Sequence, residues 1–411
     1  MRITTVFRKL LGVTAMLVRA VSFAEIGMVV DVQPRWRRPR CSGCRLKRPT
    51  YDRSPLRLWR HLALGRTVFW FRYAPKRVDC PRCGVRVEKV PWAAHGSRFS
   101  RELEEMVAYL AQRMDRSAVR RLVGIDWRTV GTIVERIVSE RLDPARLEEL
   151  YVIGLDEISF RRHHNYLTVI VDHLKRRVVW TGEGRGADTV HRFFDELGPE
   201  RSAKIACVTL DMSAPFITAL TARAPQAEQV YDRFHVQRMA NHALDLVRRA
   251  EVHRAGGARP GRYLKKSRWP LLKSAWNLRA EERERLEAIQ RINRRLYRAY
   301  LLKESLASIL DYRQAWRAAR RLGEWLGWAR RSRLRPFVKV ARTLGQYREG
   351  VLAYVRTRLS NGITEGLNNK TRLITRRAYG FHSAEALGAM IHLCCGGIVL
   401  SPPLPIPTHS P

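Results

Sequence analysis

A series of apolar strands that end on carboxylates constrains the fold of this chain more than any other feature. From residue 151, the segments YVIGLDEI, YLTVIVDH and RRVVWTGEG have the apolar, β-branched character of strands. The first of them contains the acidic pair Asp156-Glu157 near its end. Because apolar strands are buried and buried carboxylates are costly unless something neutralises them, these acidic residues require a specific partner.

The segments that follow predict a mixed α/β layer. GADTVHRFFDELG is helical, AKIACVTLDM is a fourth strand that reaches Asp211, APFITALTARA is a helix, and EQVYDRFHV is a strand that continues into a helix. The resulting order is βββαβαβα, which predicts one sheet covered by helices. In this order the first and fourth strands can lie side by side, which would bring Asp156 and Asp211 to one end of the sheet.

These carboxylates belong to a strongly basic chain. Its 411 residues include 77 Lys and Arg against 38 Asp and Glu, a formal net charge of +39. Such an excess predicts a polyanionic partner, in the first place nucleic acid. The hydrophobic content of 45% is sufficient for packed cores. No apolar run has the roughly 18–20 residues of a membrane span, so we expect a cytoplasmic protein.

Two C-x-x-C pairs are the second landmark. CSGC contains Cys41 and Cys44, and CPRC contains Cys80 and Cys83. Four thiolates in two such pairs suit tetrahedral zinc, so we expect one structural Zn²⁺. Four unrelated cysteines are the alternative, because the gap between the pairs is longer than in the commonest zinc ribbons.

The two ends of the chain carry weaker signals. The first segment, MRITTVFRKLLGVTAMLVRAVSFA, resembles a signal peptide, but Arg19 interrupts it and strand-like sequence follows. We therefore expect a mature N-terminal helix and hairpin. The last segment, SPPLPIPTHSP, is rich in proline and is predicted to be disordered.

Residues 97–142 have apolar positions at helical spacing and predict three helices. Asp115 or Ser117 can cap the second helix, Gly124 supplies a turn, and Asp126 can cap the third. Two short helices about a glycine turn are typical of a helix-turn-helix, although a plain helical spacer stays open. The third helix would make available to DNA the side chains of Trp127, Arg128 and Arg136.

A long basic and helical region, residues 241–355, is rich in tryptophan. Aromatic residues at helical spacing are more often the core of a bundle than platforms for stacked bases. In the first interpretation the Arg and Lys residues between them are solvated, and in the second they line a DNA-binding surface. The sequence leaves both interpretations open.

The segment 360–393 returns to an amphipathic helix and supplies a third carboxylate, Glu365. Three carboxylates within a few ångströms would raise one another's pKa, and a divalent cation removes that conflict. Mg²⁺ prefers oxygen ligands, and two such ions about 3.5–4 Å apart can assist displacement at phosphorus. Spacing alone does not exclude the competing carboxylates Glu157, Asp172, Asp188 and Asp232.

Taken in chain order, several motifs resemble those of a DDE transposase of bacterial insertion sequences. They are RPRCSGC…CPRC, IGLDEISFRR, VTLDMSAPF, YDRFHVQR, YLLKESL and SNGITEGLNNKTRLITRRAYGFHS. The likeness is to the group with an N-terminal zinc-binding domain, a helix-turn-helix and a helical insertion before the catalytic Glu. It implies a ribonuclease H-like core in which Asp156, Asp211 and Glu365 bind two Mg²⁺ or Mn²⁺ ions.

The resemblance also implies an organisation and a set of partners. The expected partners are the terminal inverted repeats of the element, target DNA and further copies of the chain in a homodimer or higher multimer, at the nucleoid. On the helix of Glu365, the residues expected to hold DNA are Asn369, Lys370, Arg372 and Arg376. Asp232 and His235 are expected beside the triad rather than in it. The expected domains are a hairpin and zinc-binding domain (1–95), a helix-turn-helix domain (96–147), a catalytic core (148–240 plus 356–400), a helical insertion (241–355) and a disordered tail (401–411).

Three other functions are compatible with parts of this pattern. A DNA-binding regulator would use the zinc and helix-turn-helix modules with an inert core. A ribonuclease H-like nuclease or junction resolvase would cut DNA without joining it. An RNA-binding structural protein would need only the basic charge. The carboxylates discriminate among them, because the first and third functions do not depend on Asp156.

Overall fold

The computed structural model describes residues 3–11, 15–161, 165–256, 263–378 and 380–401. From residue 402 onward, the predicted Pro-rich tail lies outside the described residues. The chain divides into two compact units, residues 1–142 with 398–411 and residues 143–397. In the described ranges, no helix combines the length and the apolar character that crossing a membrane requires.

The first unit begins with a helix and seven strands. In chain order they are α1 (Ile3–Leu11), β1 (Met16–Ala24), β2 (Gly27–Pro34), β3 (Thr50–Arg53), β4 (Arg57–Leu64), β5 (Thr67–Tyr73), β6 (Lys76–Val78) and β7 (Arg86–Val87). A four-stranded sheet has the order β1-β2-β5-β4, and β3, β6 and β7 form a smaller antiparallel sheet. The larger sheet buries Trp59, Phe69, Phe71 and Trp92 in one aromatic core.

Three helices complete the first unit: α2 (Arg101–Ala111), α3 (Arg116–Val123) and α4 (Trp127–Arg141). Asp115 caps α3 by accepting from the backbone N–H of Ala118 at 2.9 Å, and Asp126 caps α4 in the same way. Gly124 ends α3 in the left-handed conformation, with φ of 66°. The three helices, their caps and the glycine turn are therefore as the sequence predicts.

The second unit is built on a five-stranded sheet with the order β10-β9-β8-β11-β12. Its elements are β8 (Val152–Arg161), β9 (Asn165–Asp172), β10 (Arg177–Glu183), α5 (Ala187–Leu197), α6 (Pro199–Ser202), β11 (Cys207–Leu210), α7 (Ala214–Arg223), β12 (Glu228–Tyr231) and α8 (Arg233–Arg254). β9 is antiparallel to both neighbours, whereas β8, β11 and β12 are parallel. The predicted order is confirmed apart from the short α6, and the first and fourth strands are neighbours.

A helical region follows in the second unit. Its helices are α9 (Arg268–Leu272), α10 (Ala280–Ile292), α11 (Arg294–Ile309), α12 (Ala315–Arg331), α13 (Arg335–Gln346) and α14 (Arg348–Thr357). Trp325 is 2% exposed and belongs to the common core. Trp269, Trp276 and Trp316 are 64–69% exposed, so the bundle-core interpretation is wrong for these three tryptophans.

Two helices close the second unit, α15 (Gly362–Arg377) and α16 (Ala384–Cys395). α15 packs against β8 and α16 packs against β10. Glu365 therefore lies in the first turn of a helix that crosses the central strand of the sheet. The helical region thus separates two parts of the chain that meet on one sheet.

Within the first unit, Arg60 of β4 joins the sheet to the turn between α3 and α4. Its guanidinium donates to the carbonyl oxygens of Val123 at 2.5 Å and of Gly124 at 2.6 Å. These carbonyls lie at the C-terminal end of α3, where helix carbonyls lack intrahelical partners. The backbone of Arg60 also bonds to the segment that leads into α2, through Arg98 and Ser100.

We predict that Arg60→Ala loosens the turn between α3 and α4. Hydrogen bonds from a charged donor contribute about 1.5–3 kcal/mol, so amide hydrogen exchange in residues 116–141 should become roughly 10–100 times faster. Exchange detected by mass spectrometry on the full chain measures this locally. Arg66→Ala, which removes an exposed arginine beyond the same strand, is the control. Unchanged exchange in α3 and α4 of the Arg60→Ala protein would contradict the clamp.

Candidate active site and metal centre

The two C-x-x-C pairs come together in the first unit. Their four sulfur atoms all lie within 4.8 Å of one another, and the Sγ atoms of Cys44 and Cys80 are 3.6 Å apart. A tetrahedral ion with metal–sulfur distances of about 2.3 Å would hold its ligands about 3.8 Å apart. The cluster of Cys41, Cys44, Cys80 and Cys83 can therefore hold a metal ion.

The backbone bends each pair in the same way. The N–H of Arg45 donates to the carbonyl of Cys41 at 2.9 Å, and the N–H of Gly84 donates to that of Cys80 at 2.8 Å. Both residues that follow the pairs are left-handed, with φ of 62° for Arg45 and 72° for Gly84. An arginine in this region is strained, which is acceptable where the surrounding structure requires the turn.

The thiols are electrostatically coupled. Burial and hydrogen bonding to the other thiols raise the pKa of Cys83 to about 11. For Cys80, burial acts in the same direction, but hydrogen bonds from backbone N–H groups and the neighbouring thiols prevail and lower the pKa to about 6. One thiolate is favoured at the expense of the others, so full ionisation of the cluster requires a cation.

The acidic pair at the sheet results from strand register. β8 and β11 are parallel, with Val152 opposite Cys207 and Gly154 opposite Thr209. Asp156 and Asp211 each lie two residues further along, so both carboxylates stand just beyond the last paired residues of these two strands. β8 itself continues to Arg161, so the expectation that Asp156 and Glu157 lie near the end of their strand is wrong. Burial, and then the charge of Asp211, raise the pKa of Asp156 to about 6.

Each of these carboxylates has a polar neighbour that holds it. Oδ1 of Asp156 accepts from the backbone N–H of Glu157 at 2.7 Å, and Oδ2 accepts from the side-chain amide of Asn368 on α15. Nδ1 of His235 lies 2.9 Å from Oδ1 of Asp211. The two aspartates are therefore fixed by α15 and α8, the helices on either side of the helical region.

Asp232 connects the beginnings of these two helices. It is 8% exposed at the beginning of α8, and the backbone N–H groups of Phe234 and Asn361 are close enough to its carboxylate to act against the rise of its pKa. Burial raises the pKa of Asp232, and the charges of Asp211 and Glu365 raise it further. Asp232 is thus a fourth carboxylate close to Asp211 and Glu365, and it lies near the beginning of α15.

A buried polar network holds α15 against the sheet. Oγ1 of Thr209 donates to Oδ1 of Asn361 at 2.8 Å and lies 2.9 Å from Nε2 of His173. Thr364, the residue before Glu365, lies 3.4 Å from the same imidazole nitrogen. The network needs the space that Gly154 leaves, since a Cβ there would approach Thr364 Oγ1 to 2.3 Å.

Glu365 itself is exposed in the first turn of α15. Asp156, Asp211 and Glu365 surround one region, but their carboxylate oxygens do not form a closed group. Among the described residues, only the four cysteines have three or more ligand atoms within 4.8 Å of one another. The acidic residues therefore form an open arrangement rather than a compact ligand shell.

The residues of α15 that the sequence predicts to hold DNA differ in their contacts. Asn369, Arg372 and Arg376 are exposed, as is Glu365, and Asn369 accepts from Arg372 at 3.0 Å. Lys370 instead donates to the carbonyl of Cys394 at 2.6 Å, which ties α15 to α16. Arg372 and Arg376 are the two arginines of α15 that lie nearest in sequence to Glu365.

Asn368, for which the sequence predicted no role, contacts a carboxylate of the site, whereas Asn369 is exposed and its contact with DNA stays a prediction. Asn368 is 1% exposed, and its Oδ1 has no hydrogen-bond partner within the described part of the chain. The sequence EGLNN offered two adjacent asparagines, and helical spacing could not choose between them before the buried face of α15 was known. His173 and Thr209 were missed because nothing in their local sequence indicates the network.

The residues predicted to contact DNA on α4 differ in accessibility. Arg128 is exposed at the beginning of the helix, with its guanidinium 5.6 Å from the centre of the Trp127 ring, which is 41% exposed. Arg136 forms an ion pair with Glu104, which is 1% exposed on α2. Arg136 therefore joins two helices, and its contact with DNA stays a prediction.

Two stretches of the chain match a known transposase family, and nearly its whole length resembles known transposases. Residues 153–391 match the DDE transposase model of the ISL3 family, and residues 88–138 match the helix-turn-helix domain of the same transposase family. The chain is 37% identical to the transposase for insertion sequence element IS1557 of Mycobacterium tuberculosis, over 97% of this chain and 96% of the relative. It is 32% identical to the transposase for IS1001 of Bordetella parapertussis, over 75% and 77% of the two chains.

We predict that Asp156→Asn stabilises the metal-free protein at neutral pH. The folded-state pKa of Asp156, about 6, exceeds the ordinary 3.8, so the wild-type protein loses stability as pH rises through this window. The variant should unfold at higher temperature at pH 7.5, by the equivalent of about 1–3 kcal/mol, and the difference should shrink towards pH 4. Thermal unfolding in buffer free of Mg²⁺ and Mn²⁺, without a chelator that would also remove the metal of the cysteine cluster, measures it, with Asp188→Asn as an exposed control. A pH-independent difference would contradict this assignment.

Proposed function

The chain belongs to the ISL3 family of transposases, and from this premise we propose that Asp156, Asp211 and Glu365 are its catalytic triad. The observation that carries the proposal is the pair of carboxylates just beyond the paired part of two adjacent parallel strands, with the helix of Glu365 packed against the first of these strands. In the proposed reaction water cuts the DNA at the element ends, and each exposed 3′-OH then attacks target DNA.

We propose that the core, residues 148–240 with 356–400, is ribonuclease H-like. The support is the sheet order β10-β9-β8-β11-β12. The first three strands in the chain, β8, β9 and β10, form an antiparallel series. β11 and β12 extend the sheet on the other side of β8 and are parallel to it. The helical insertion, residues 241–355, separates β12 and α8 from the helix of Glu365. The proposal extends to a helix-turn-helix domain at 96–147 and a hairpin and zinc-binding domain at 1–95.

The acidic residues fit two divalent ions, Mg²⁺ or Mn²⁺. Their oxygens are the hard ligands that such ions prefer, and the raised pKa of Asp156 reflects a repulsion that a cation would remove. Ions held by Asp156, Asp211 and Glu365 would promote ionisation of the attacking oxygen and stabilise the leaving oxygen. Carboxylates that share two ions need not all lie within 4.8 Å of one another, so an open arrangement suits them.

The chain's own residues would position the reacting groups. Asn368 holds one oxygen of Asp156, and His235 holds one oxygen of Asp211, so that each carboxylate keeps one orientation. Arg372 and Arg376 would bind the phosphates of the strand next to the acidic turn. Catalysis then depends on orientation and on charge neutralisation, without a covalent enzyme intermediate.

A helix-turn-helix transposase implies DNA binding, and we propose that the partners are element ends and target DNA at the nucleoid. Trp127 and Arg128 lie at the beginning of α4, the end from which such helices contact bases. Two element ends must be brought together before joining, so we propose a homodimer or higher multimer as the active form. For the cysteine cluster we propose Zn²⁺, which four thiolates bind in preference to hard cations.

We predict that Asp156→Asn, Asp211→Asn and Glu365→Gln each abolish strand cleavage and joining with both Mg²⁺ and Mn²⁺. DNA affinity should be equal to wild type or higher, because a negative charge is removed. The assay uses a duplex containing the inverted repeat that flanks the gene, with Asp188→Asn as a matched exposed control. Joining by the Asp211→Asn protein would exclude Asp211 from the triad, and cutting without joining by the wild type would favour a nuclease.

We predict that Cys80→Ser releases the metal of the cysteine cluster. A structural zinc site contributes on the order of 10 kcal/mol to folding, so the first unit should lose its order and its DNA binding. Metal content by mass spectrometry and circular dichroism measure the two effects. Cys394→Ser, outside the cluster, should retain stoichiometric zinc. Retention of zinc by the Cys80→Ser protein would refute the assignment.

A further inference from the structure

A polar cavity lies beside the cysteine cluster in the first unit. Its volume is about 220 Å³, enough for several water molecules at roughly 30 Å³ each. It is bounded by the first cysteine pair, by β4, by residues 87–97 and by the beginning of α2 and the end of α4. We call it the knuckle cavity, and its lining includes Ser42, Arg45, Arg57, Lys89, Arg101 and Glu140.

Positive charge in the knuckle cavity exceeds the negative charge available to it. Glu140 bonds Arg101 at 3.1 Å. Glu88, the other acidic residue of the lining, is 3% exposed, and its Oε1 already accepts from the Tyr73 hydroxyl and the backbone N–H of Lys76. Burial, and then the charges of Arg45 and Arg101, lower the pKa of Lys89. The cations of this lining therefore repel one another.

The metal-binding turn supplies one wall of this cavity. Oγ of Ser42 is buried, and no hydrogen-bond partner for it occurs among the residues that the structure describes. A buried polar atom without a partner costs about 1–3 kcal/mol, so its presence requires an explanation. Ser42 lies between Cys41 and Cys44, and the strained Arg45 follows them, so the metal-binding turn itself forms one wall of the cavity.

We propose that the knuckle cavity binds a phosphate group, and that this group belongs to the backbone of DNA held beside the helix-turn-helix. Guanidinium groups such as that of Arg45 bind phosphate oxygens in pairs, and the ammonium of Lys89 adds a compact charge. The inference rests on the DNA binding in the proposed function, but not on the catalytic triad. It also makes the metal-binding turn a direct part of the DNA-binding surface.

The test measures binding of a random-sequence DNA duplex to the full-length, metal-loaded protein at increasing KCl concentration. Lys89→Gln should weaken binding and make the slope of log K against log salt less steep by about 0.9, the value for one phosphate contact. Lys47→Gln, which removes an exposed lysine of the same segment outside the cavity, should keep the wild-type slope.

Inorganic phosphate distinguishes the two sources of the ligand. At constant ionic strength it should compete with the duplex and raise the melting temperature of the wild type, but not of the Lys89→Gln protein. If phosphate protects while the DNA slope of Lys89→Gln is unchanged, the cavity binds a free anion and the DNA assignment is wrong. If the Lys89→Gln protein binds the duplex like wild type and phosphate does not protect the wild type, with zinc content intact, no phosphate site exists there. An Asp156→Asn background separates these results from any failure of catalysis.

Discussion

The repulsion between the carboxylates of Asp156 and Asp211 is the constraint on which the second unit depends. Parallel register brings the two side chains to the same end of the sheet, and the net charge of +39 does not cancel their repulsion locally. The pKa of Asp156 is raised although Arg372 acts in the opposite direction. The contacts from Asn368 and His235 orient the carboxylates without neutralising them. Such unrelieved repulsion lowers stability and is typical of functional sites.

The third acidic residue reaches this place through packing on both sides of the helical region. Gly350 on α14 has no side chain where a Cβ would come within 2.3 Å of the Tyr231 ring, so α14 lies close against β12. Arg356 at the end of α14 bonds Glu228 at 3.1 Å. The chain therefore returns to the sheet edge before it enters α15, and Thr364 then docks in the space above Gly154. The position of Glu365 thus depends on α14 and the buried network more directly than on the rest of the helical region.

Sequence reasoning succeeded where the determinants are local. Asp115, Gly124 and Asp126 define helix ends through their own backbone, and the alternation of strands and helices restricts which strands can be neighbours. It failed where a side chain meets a remote partner. Arg136 pairs with Glu104, 32 residues earlier, and Asn368 meets Asp156, 212 residues earlier. No periodicity encodes such pairs, because they depend on how the elements pack.

The two clusters of ionisable side chains solve the same electrostatic problem in opposite ways. The four thiols lie within 4.8 Å of one another, so a single ion can satisfy all of them and leave no position for a substrate. The acidic residues share one region without closing into such a shell. In the proposed reaction, oxygens of DNA must enter the coordination of the catalytic ions, and a closed shell of carboxylates would exclude them. The wider spacing of Asp156, Asp211 and Glu365 is therefore what the proposed chemistry requires, whereas the same spacing among the cysteines would abolish a structural site.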